Sequence, residues 1–201
     1  MISHSNKAIF IHVPKNGGTS MNNYFRKHDF SGMNYHRAAD GSNDDQTGAY
    51  KIGAARRLMR GLEEWSGYFK FGFVRNPWDR MVSCWKNRGG RFSGNFDDFV
   101  MNYPFDGESN NVIWHALPQS THICDEDGVP LVDYIGRFEH MLEDMSIICD
   151  ILNISFSESD FPHKNKTEHK HYTDYYNKKT RDKVFKDYFR DIELFNYDFD
   201  S

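Results

Sequence analysis

A glycine-rich loop at residues 14–20 is the first place in this chain where residue types and spacing suggest chemistry. It follows a short apolar run and reads PKNGGTS, with one lysine, two adjacent glycines and two hydroxyl residues. Glycines let the backbone approach a ligand closely, and the N–H groups at a helix start carry about half a positive charge. Lys15 adds a full charge, and Thr19 and Ser20 add hydroxyl donors. The loop is therefore predicted to bind a phosphate or a sulfate.

The loop differs from the nucleotide-binding P-loop, G-x-x-x-x-G-K-[ST]. Lys15 precedes the glycine pair, and no Gly-Lys-Ser/Thr follows it. A kinase of that type also needs a Mg²⁺-binding aspartate at a second strand end, whereas the strand predicted at 69–74 leads into Arg75. An arginine there indicates a second anion without a bridging metal. A nucleotide kinase with an atypical loop remains an alternative, which dependence on Mg²⁺ and ATP would support.

A second motif, FGFVRNPWDRMVSCW at residues 71–85, strengthens the anion hypothesis. It places Arg75 at a strand end and Ser83 about two turns into the following helix. A fork-shaped guanidinium and a hydroxyl can together hold one phosphate. The alternative is that Arg75 pairs locally while Ser83 is a buried helix serine.

The segments FIHVPKNGGTSM and FGFVRNPWDRMVS together resemble the sulfotransferases that use 3′-phosphoadenosine 5′-phosphosulfate (PAPS), in particular the carbohydrate sulfotransferase branch, of the sulfotransferase family 2 type. That family commonly shows PK-[TS]-[GA]-GTS for the 5′-phosphosulfate and RNPxxRxxS for the 3′-phosphate. VDYIGRFEHM (132–141), FPHKNKTEH (161–169) and DIELFNYDF (191–199) extend the likeness over nearly the whole chain. Asn16 stands where the family usually has threonine or serine, although its amide can still donate.

The resemblance implies a P-loop-kinase-like, three-layer α/β fold with a central, mainly parallel sheet. It also implies PAPS as donor, adenosine 3′,5′-bisphosphate (PAP) as product and no metal requirement. By the same resemblance Lys15 lies near the oxygen that bridges phosphate and sulfate, and Arg75 and Ser83 hold the 3′-phosphate. The loop residues assigned to the 5′-phosphate are Asn16, Gly17, Gly18, Thr19 and Ser20.

Arg137 and the segment 164–167 are further positions assigned to the donor. Arg137, just after a predicted strand, is expected to contact the donor or else to pair with Glu139 or Asp133. The segment 164–167 looks like the family's segment that closes over the nucleotide, or else it is a solvated basic loop. Its members assigned to the donor are Asn165 and Lys166.

The acceptor hydroxyl needs a general base, which a histidine or a carboxylate can supply. His36, which follows the predicted second strand, is the candidate, since the resemblance favours a histidine in this region; the alternatives are Glu63, Glu64 and the acidic pair at 44–45. His12 is expected to be a packed residue within its strand. No cysteine or carboxylate pattern completes a metal site around the histidines at 163, 169 and 171. Trp114 and His115 are candidates for contacting an acceptor sugar.

The elements that must position these residues alternate between strands and helices. Strands are predicted at 7–13, 31–35, 69–74 and 131–138; helices at 19–28, 51–65, 77–87, 140–152 and 174–189, with two short helical patterns within 95–117. The last helix is expected to bury Val184, Phe185, Tyr188 and Phe189. Such alternation predicts a mainly parallel α/β sheet with ligands beyond the carboxyl ends of its strands.

Composition narrows the function classes. The 201 residues suit one domain, 1–201, and the net charge of −4 argues against a nucleic-acid binder. No apolar run approaches the ~20 residues of a membrane span and no signal peptide is visible, so a cytoplasmic location is expected. The three scattered cysteines favour a reducing compartment. The expected partner is a hydroxyl-bearing acceptor, in particular a glycan, and a non-catalytic nucleotide-binding module remains an alternative.

Overall fold

The computed structural model describes residues 1–31, 63–87, 94–103, 115–161 and 170–201. The chain forms two compact units. Unit 1 comprises Met1–Val74 and Gln119–Lys166, and unit 2 comprises Arg75–Pro118 and Thr167–Ser201.

Unit 1 is built on a four-stranded, mainly parallel sheet in the order β1-β2-β3-β4. The strands are β1 (Ile2–Ser3), β2 (Ala8–Ile11), β3 (Phe69–Val74) and β4 (Tyr134–Arg137). β2, β3 and β4 are parallel neighbours, and the short β1 is antiparallel to β2. The predicted mixed α/β class with a mainly parallel sheet is therefore confirmed, and the carboxyl ends of the three parallel strands meet at one edge.

The described part of the chain has seven α-helices. They are α1 (Gly18–Phe25), α2 (Pro77–Asn87), α3 (Phe96–Asn102), α4 (Ser120–Ile123), α5 (Met141–Ile151), α6 (Lys178–Asp187) and α7 (Phe189–Phe195). Short 3₁₀ turns lie at Arg26–His28, Glu63–Gly67, Phe138–His140, Glu158–Asp160 and Tyr172–Tyr175. None of these helices combines the length and apolar character that crossing a membrane requires.

Local signals predicted several of these elements well. The strand expected at 69–74 is β3, and α2 begins at Pro77 because the Asn76 side chain accepts a hydrogen bond from Trp78 N at 3.0 Å. The strand expected at 131–138 is shorter, since a 3₁₀ turn begins at Phe138. Of the strand expected at 31–35, Ser31 forms an isolated bridge to Ile2, and the rest lies outside the described residues.

The predicted helix at 174–189 is wrong in its extent and in part of its buried face. Asn177 caps α6 through a capping box with Thr180, so the helix starts later than expected, and Tyr188 interrupts it before α7. Val184 and Tyr188 are buried, but Phe185 and Phe189 are 45% and 50% exposed. Buried positions recur every four residues along α6, so Phe185, one residue further on, turns towards solvent.

Each unit has its own apolar core. In unit 1, aromatic side chains of β2 and β3 pack with those of α1; the rings of Phe10, Phe25 and Phe71 lie with centroids 5.2–6.1 Å apart. In unit 2, Trp78 and Val82 of α2 belong to one buried cluster with Phe99 of α3 and Val184 of α6. Strands β2 and β3 are thus joined to α1 by packed aromatic rings.

Candidate functional site

The glycine-rich loop leaves β2 at the carboxyl edge of the sheet and leads directly into α1. Lys15 and Gly17 both have left-handed backbone conformations, with φ of 71° and 78°. This conformation is ordinary for glycine but strained for lysine. The loop therefore turns sharply twice, once on each side of Asn16.

The amino end of α1 is suited to an anion. Its N-cap, Gly17, offers no side-chain cap, and its first turn carries no acidic residue. The amides of Ser20 and Met21 are bonded to Gly17 O at 3.0 and 3.2 Å. Because no carboxylate of its own first turn offsets the helix dipole, the positive end of α1 can attract a phosphate or sulfate.

Both loop glycines are in close contact with neighbouring side chains. A Cβ on Gly17 would overlap Met141 Cε, and a Cβ on Gly18 would overlap the imidazole of His12. His12, expected within the strand, is instead the first residue after β2, is half-buried and lies against the start of α1. Sequence reasoning missed this neighbour of the loop, because nothing in the local pattern shows where its ring turns.

The side chain of Asn16 points into unit 1. Its Nδ2 donates to Phe73 O at 2.6 Å and to Gln119 Oε1 at 2.8 Å. Asn16 is 2% exposed and Gln119 is fully buried. Gln119 belongs to no motif and was not predicted; the only signal for it is its contact with the loop across 103 residues of sequence.

Arg137 ends β4 at the same edge of the sheet as the loop. Its backbone N–H donates to Asp144 Oδ2 at 2.6 Å, and the Tyr134 hydroxyl donates to Asp144 Oδ1 at 2.6 Å. Burial, followed by the bond to the Asp144 carboxylate, raises the pKa of Tyr134 above its ordinary value. Asp133, one of the alternative partners expected for Arg137, forms an ion pair with Lys70 at 2.9 Å. The carboxylate of Asp144, on α5, thus holds the backbone at Arg137.

Arg75 is the residue that follows β3 in the chain, and it belongs to unit 2. Its Nε lies 2.7 Å from Asp79 Oδ2, and both side chains are largely buried. The local pairing that the sequence left open is therefore present. A guanidinium has five N–H donors, so this ion pair is compatible with contact to a phosphate. Ser83 lies on α2 and is half-buried.

A family model described as the sulfotransferase family matches residues 1–198. The chain belongs to this family, sulfotransferase family 2. No curated protein and no solved structure matches the chain significantly. Membership supports sulfotransferase activity in general, and the family uses PAPS as its donor and releases PAP.

In this sulfotransferase the second arginine of the RNPWDR segment has a structural role that sequence reasoning did not single out. Arg80 is 2% exposed and donates to Leu117 O at 2.9 Å and to His115 O at 3.0 Å. It therefore secures, within unit 2, the backbone at His115, one of the candidates for acceptor contact.

Other candidate residues of the sulfotransferase lie outside the described residues: His36, Trp114, Asn165, Lys166 and the acidic pair at 44–45. Glu63 and Glu64, the alternative bases, begin a 3₁₀ turn, with Glu63 exposed and Glu64 half-buried. Within the described ranges, no group of three or more histidine, cysteine or acidic side chains could hold a metal ion.

Proposed function

We propose that this chain is a single sulfotransferase domain, residues 1–198 of which match the family, that moves a sulfuryl group from PAPS to a hydroxyl of a carbohydrate or related acceptor. The observation that carries the proposal is the uncapped amino end of α1, preceded by Lys15, in a member of this family. In this arrangement one loop offers backbone donors, hydroxyls and an ammonium to the same anionic group.

The loop supplies the contacts to the 5′-phosphosulfate. The amides of Gly17, Gly18 and Thr19 and the hydroxyls of Thr19 and Ser20 hold the 5′-phosphate, and Asn16 belongs to the same loop. As the acceptor oxygen bonds to sulfur, the bond from sulfur to the bridging oxygen breaks and its electron pair stays on the 5′-phosphate of PAP. Lys15 stabilises the charge that grows on that oxygen, and no step passes through a metal ion.

The remaining donor contacts follow from the family resemblance. Arg75 and Ser83 hold the 3′-phosphate, and the Asp79 carboxylate keeps the Arg75 guanidinium in one orientation. Arg137, whose backbone Asp144 fixes, gives a further donor contact, and Asn165 and Lys166 contact the nucleotide.

The proton of the acceptor hydroxyl goes to a general base, for which we propose His36. A hydroxyl has a pKa far above neutrality, so its proton must leave as the oxygen attacks sulfur. An imidazole with an ordinary pKa is largely neutral at pH 7 and can accept that proton.

Calorimetry with three nucleotides tests the proposed donor. PAP should bind about ten- to a hundredfold more tightly than AMP or ATP. Neither AMP nor ATP has a 3′-phosphate, so neither can form the charge-assisted contacts to it. The same affinities should be measured with and without Mg²⁺. Equal affinities for the three nucleotides, or a strict metal requirement, would favour an atypical nucleotide kinase.

Transfer of labelled sulfate from PAPS to a panel of glycans, phenols and steroids tests turnover and the acceptor class together. We expect transfer to a glycan. Tight PAP binding without transfer to any acceptor in the panel would indicate a nucleotide-binding module.

A further inference from the structure

The side chain of Asn16 has no group left with which to bind an anion. An amide NH₂ has two donor hydrogens, and Nδ2 has two acceptors at hydrogen-bonding distance, Phe73 O and Gln119 Oε1. Its other polar atom, Oδ1, is buried and has no hydrogen-bond partner among the described residues. An amide oxygen only accepts, and an ionised phosphate has no proton to donate. The role of this side chain must therefore be sought inside the protein.

The position of Asn16 in the loop indicates that role. It lies between the two left-handed residues, Lys15 and Gly17, and its side chain is bonded to β3 at the residue before Val74. A strained backbone persists only where the surrounding structure holds it in place. The bonds of Asn16 hold the loop between these two turns, and so hold the backbone from which the Lys15 ammonium extends.

Gln119 is held firmly enough to anchor this amide. It is fully buried and directly precedes α4, and its carbonyl accepts from His122 N at 2.9 Å. At the other end of α4, Ile123 O accepts from Leu131 N at 2.8 Å. The oxygen that accepts from Asn16 therefore belongs to a buried side chain in a segment of unit 1 that hydrogen bonds hold at both ends.

We propose that Asn16 and Gln119 form an internal anchor that positions Lys15 for its action on the bridging oxygen of the donor. This inference rests on the proposed function of Lys15. It makes Asn16 a positioning residue in this chain, whereas the serine or threonine usual in the family would present a hydroxyl.

Three variants and a matched control test the anchor. Asn16→Ala and Gln119→Ala each remove one side of it, and the double variant removes both. The control is Asn6→Ala. Asn6 lies in the turn before β2, and its Nδ2 also donates two hydrogen bonds in unit 1, to Ser3 Oγ at 2.8 Å and to His28 O at 2.9 Å. Gln119→Met, which keeps the volume but loses the acceptor, replaces Gln119→Ala if that variant fails to fold.

Hydrogen exchange measures the anchoring without any donor. The amides of Ser20 and Met21, both bonded to Gly17 O, should exchange about tenfold faster in Asn16→Ala than in the unmodified chain, and at an unchanged rate in Asn6→Ala. Unchanged exchange in Asn16→Ala would overturn the anchor. This readout holds even if PAP fails to bind, an outcome that would overturn the proposed function instead.

Turnover with the acceptor found in the panel measures the positioning. Asn16→Ala should lower kcat about 10–100-fold while PAP affinity falls less than about fivefold, since Lys15 acts in the transition state. The double variant should lose little more than Asn16→Ala alone, because the two residues act as one unit. A normal kcat in Asn16→Ala, or losses that multiply in the double variant, would contradict the proposal; Asn6→Ala should keep its kcat.

Discussion

Lys15 carries a positive charge and has a backbone conformation that lysine rarely adopts. Its φ of 71° lies in the left-handed region, where an L side chain crowds the following carbonyl oxygen. A turn alone would favour glycine at this position. The left-handed backbone of Lys15 therefore fits the role proposed for its ammonium group, although Lys7 shares this conformation.

Two substitutions at Lys15 separate its charge from its strain. Lys15→Ala and Lys15→Gly should both lower kcat about 10²–10³-fold, by analogy with the loss of one oxyanion donor. Lys15→Gly should be more stable to denaturant than Lys15→Ala by about 0.5–1 kcal/mol, because glycine adopts φ > 0 without crowding. The affinity of both variants for PAP should fall by a smaller factor than kcat. A kcat that survives while donor affinity falls would make Lys15 a binding residue only.

His36 lies outside the described residues, so its proposed role as base rests on the sequence. His36→Ala should lower kcat about 10²–10⁴-fold and leave PAP affinity within about threefold. An imidazole must be neutral to accept a proton, so activity should fall below a pH of about 6.5 in the unmodified enzyme, and this acid limb should vanish in the variant. His4→Ala, an exposed histidine bonded to Tyr68, is the control. A persistent acid limb would direct attention to Glu63 and Glu64.

At the scale of elements, the start of α1 packs closely against His12 because Gly18 has no side chain. Gly18 has no left-handed φ, so alanine fits its backbone, and the obstacle to a methyl group there is the ring of His12. The close packing of an imidazole on a helix start also places a titratable group beside the loop. The proposed anion site thus lies at the same helix start that packs against the ring of His12.

Gly18→Ala should lower the unfolding temperature and weaken PAP binding, because either the ring or the helix must shift. Adding His12→Ala should restore most of the lost stability, since it removes the overlapping atoms. Gly67→Ala is the matched control, because a Cβ there meets nothing within 4 Å. Thermal unfolding of the four proteins gives the comparison; a Gly18→Ala variant as stable as the control would show that the contact is easily relieved.

At the scale of the whole molecule, net charge opposes the proposed ligand. The chain carries −4 at pH 7, and both PAPS and PAP are polyanions. Overall electrostatic attraction therefore cannot supply the affinity. It must come from fixed local donors, such as the amino end of α1 and the arginines, and it should be specific for the placement of phosphates.

Ligand-linked stability tests this specificity on the intact chain. PAP at about 100 times its Kd should stabilise the chain by about 2.7 kcal/mol and raise the unfolding temperature by about 5–10 °C. AMP at the same concentration should give about half of that shift or less, since it lacks the 3′-phosphate and should bind at least tenfold more weakly. Differential scanning fluorimetry in a chelator measures both, and equal shifts for PAP and AMP would count against a dedicated 3′-phosphate contact.

Sequence alone determined those features of the protein that depend on neighbours along the chain. The run at 69–74 and the Asn76-Pro77 pair predicted β3 and the start of α2, because strand propensity and helix capping act over a few residues. The loop together with the motif at 71–85 also predicted the family to which the chain belongs. Anion binding by the loop stays a prediction.

Only the tertiary structure decided which distant residues meet. The Asn16–Gln119 bond joins residues 103 positions apart, and the ring of His12 reaches Gly18 across a tight turn. Likewise, Phe185 and Phe189 are exposed although their spacing fits a buried stripe, because the positions that α6 buries are Thr180 and Val184. Periodicity records which face of an element is apolar, but the direction of a side chain in a loop and the end of a helix depend on the contacts available in the folded chain.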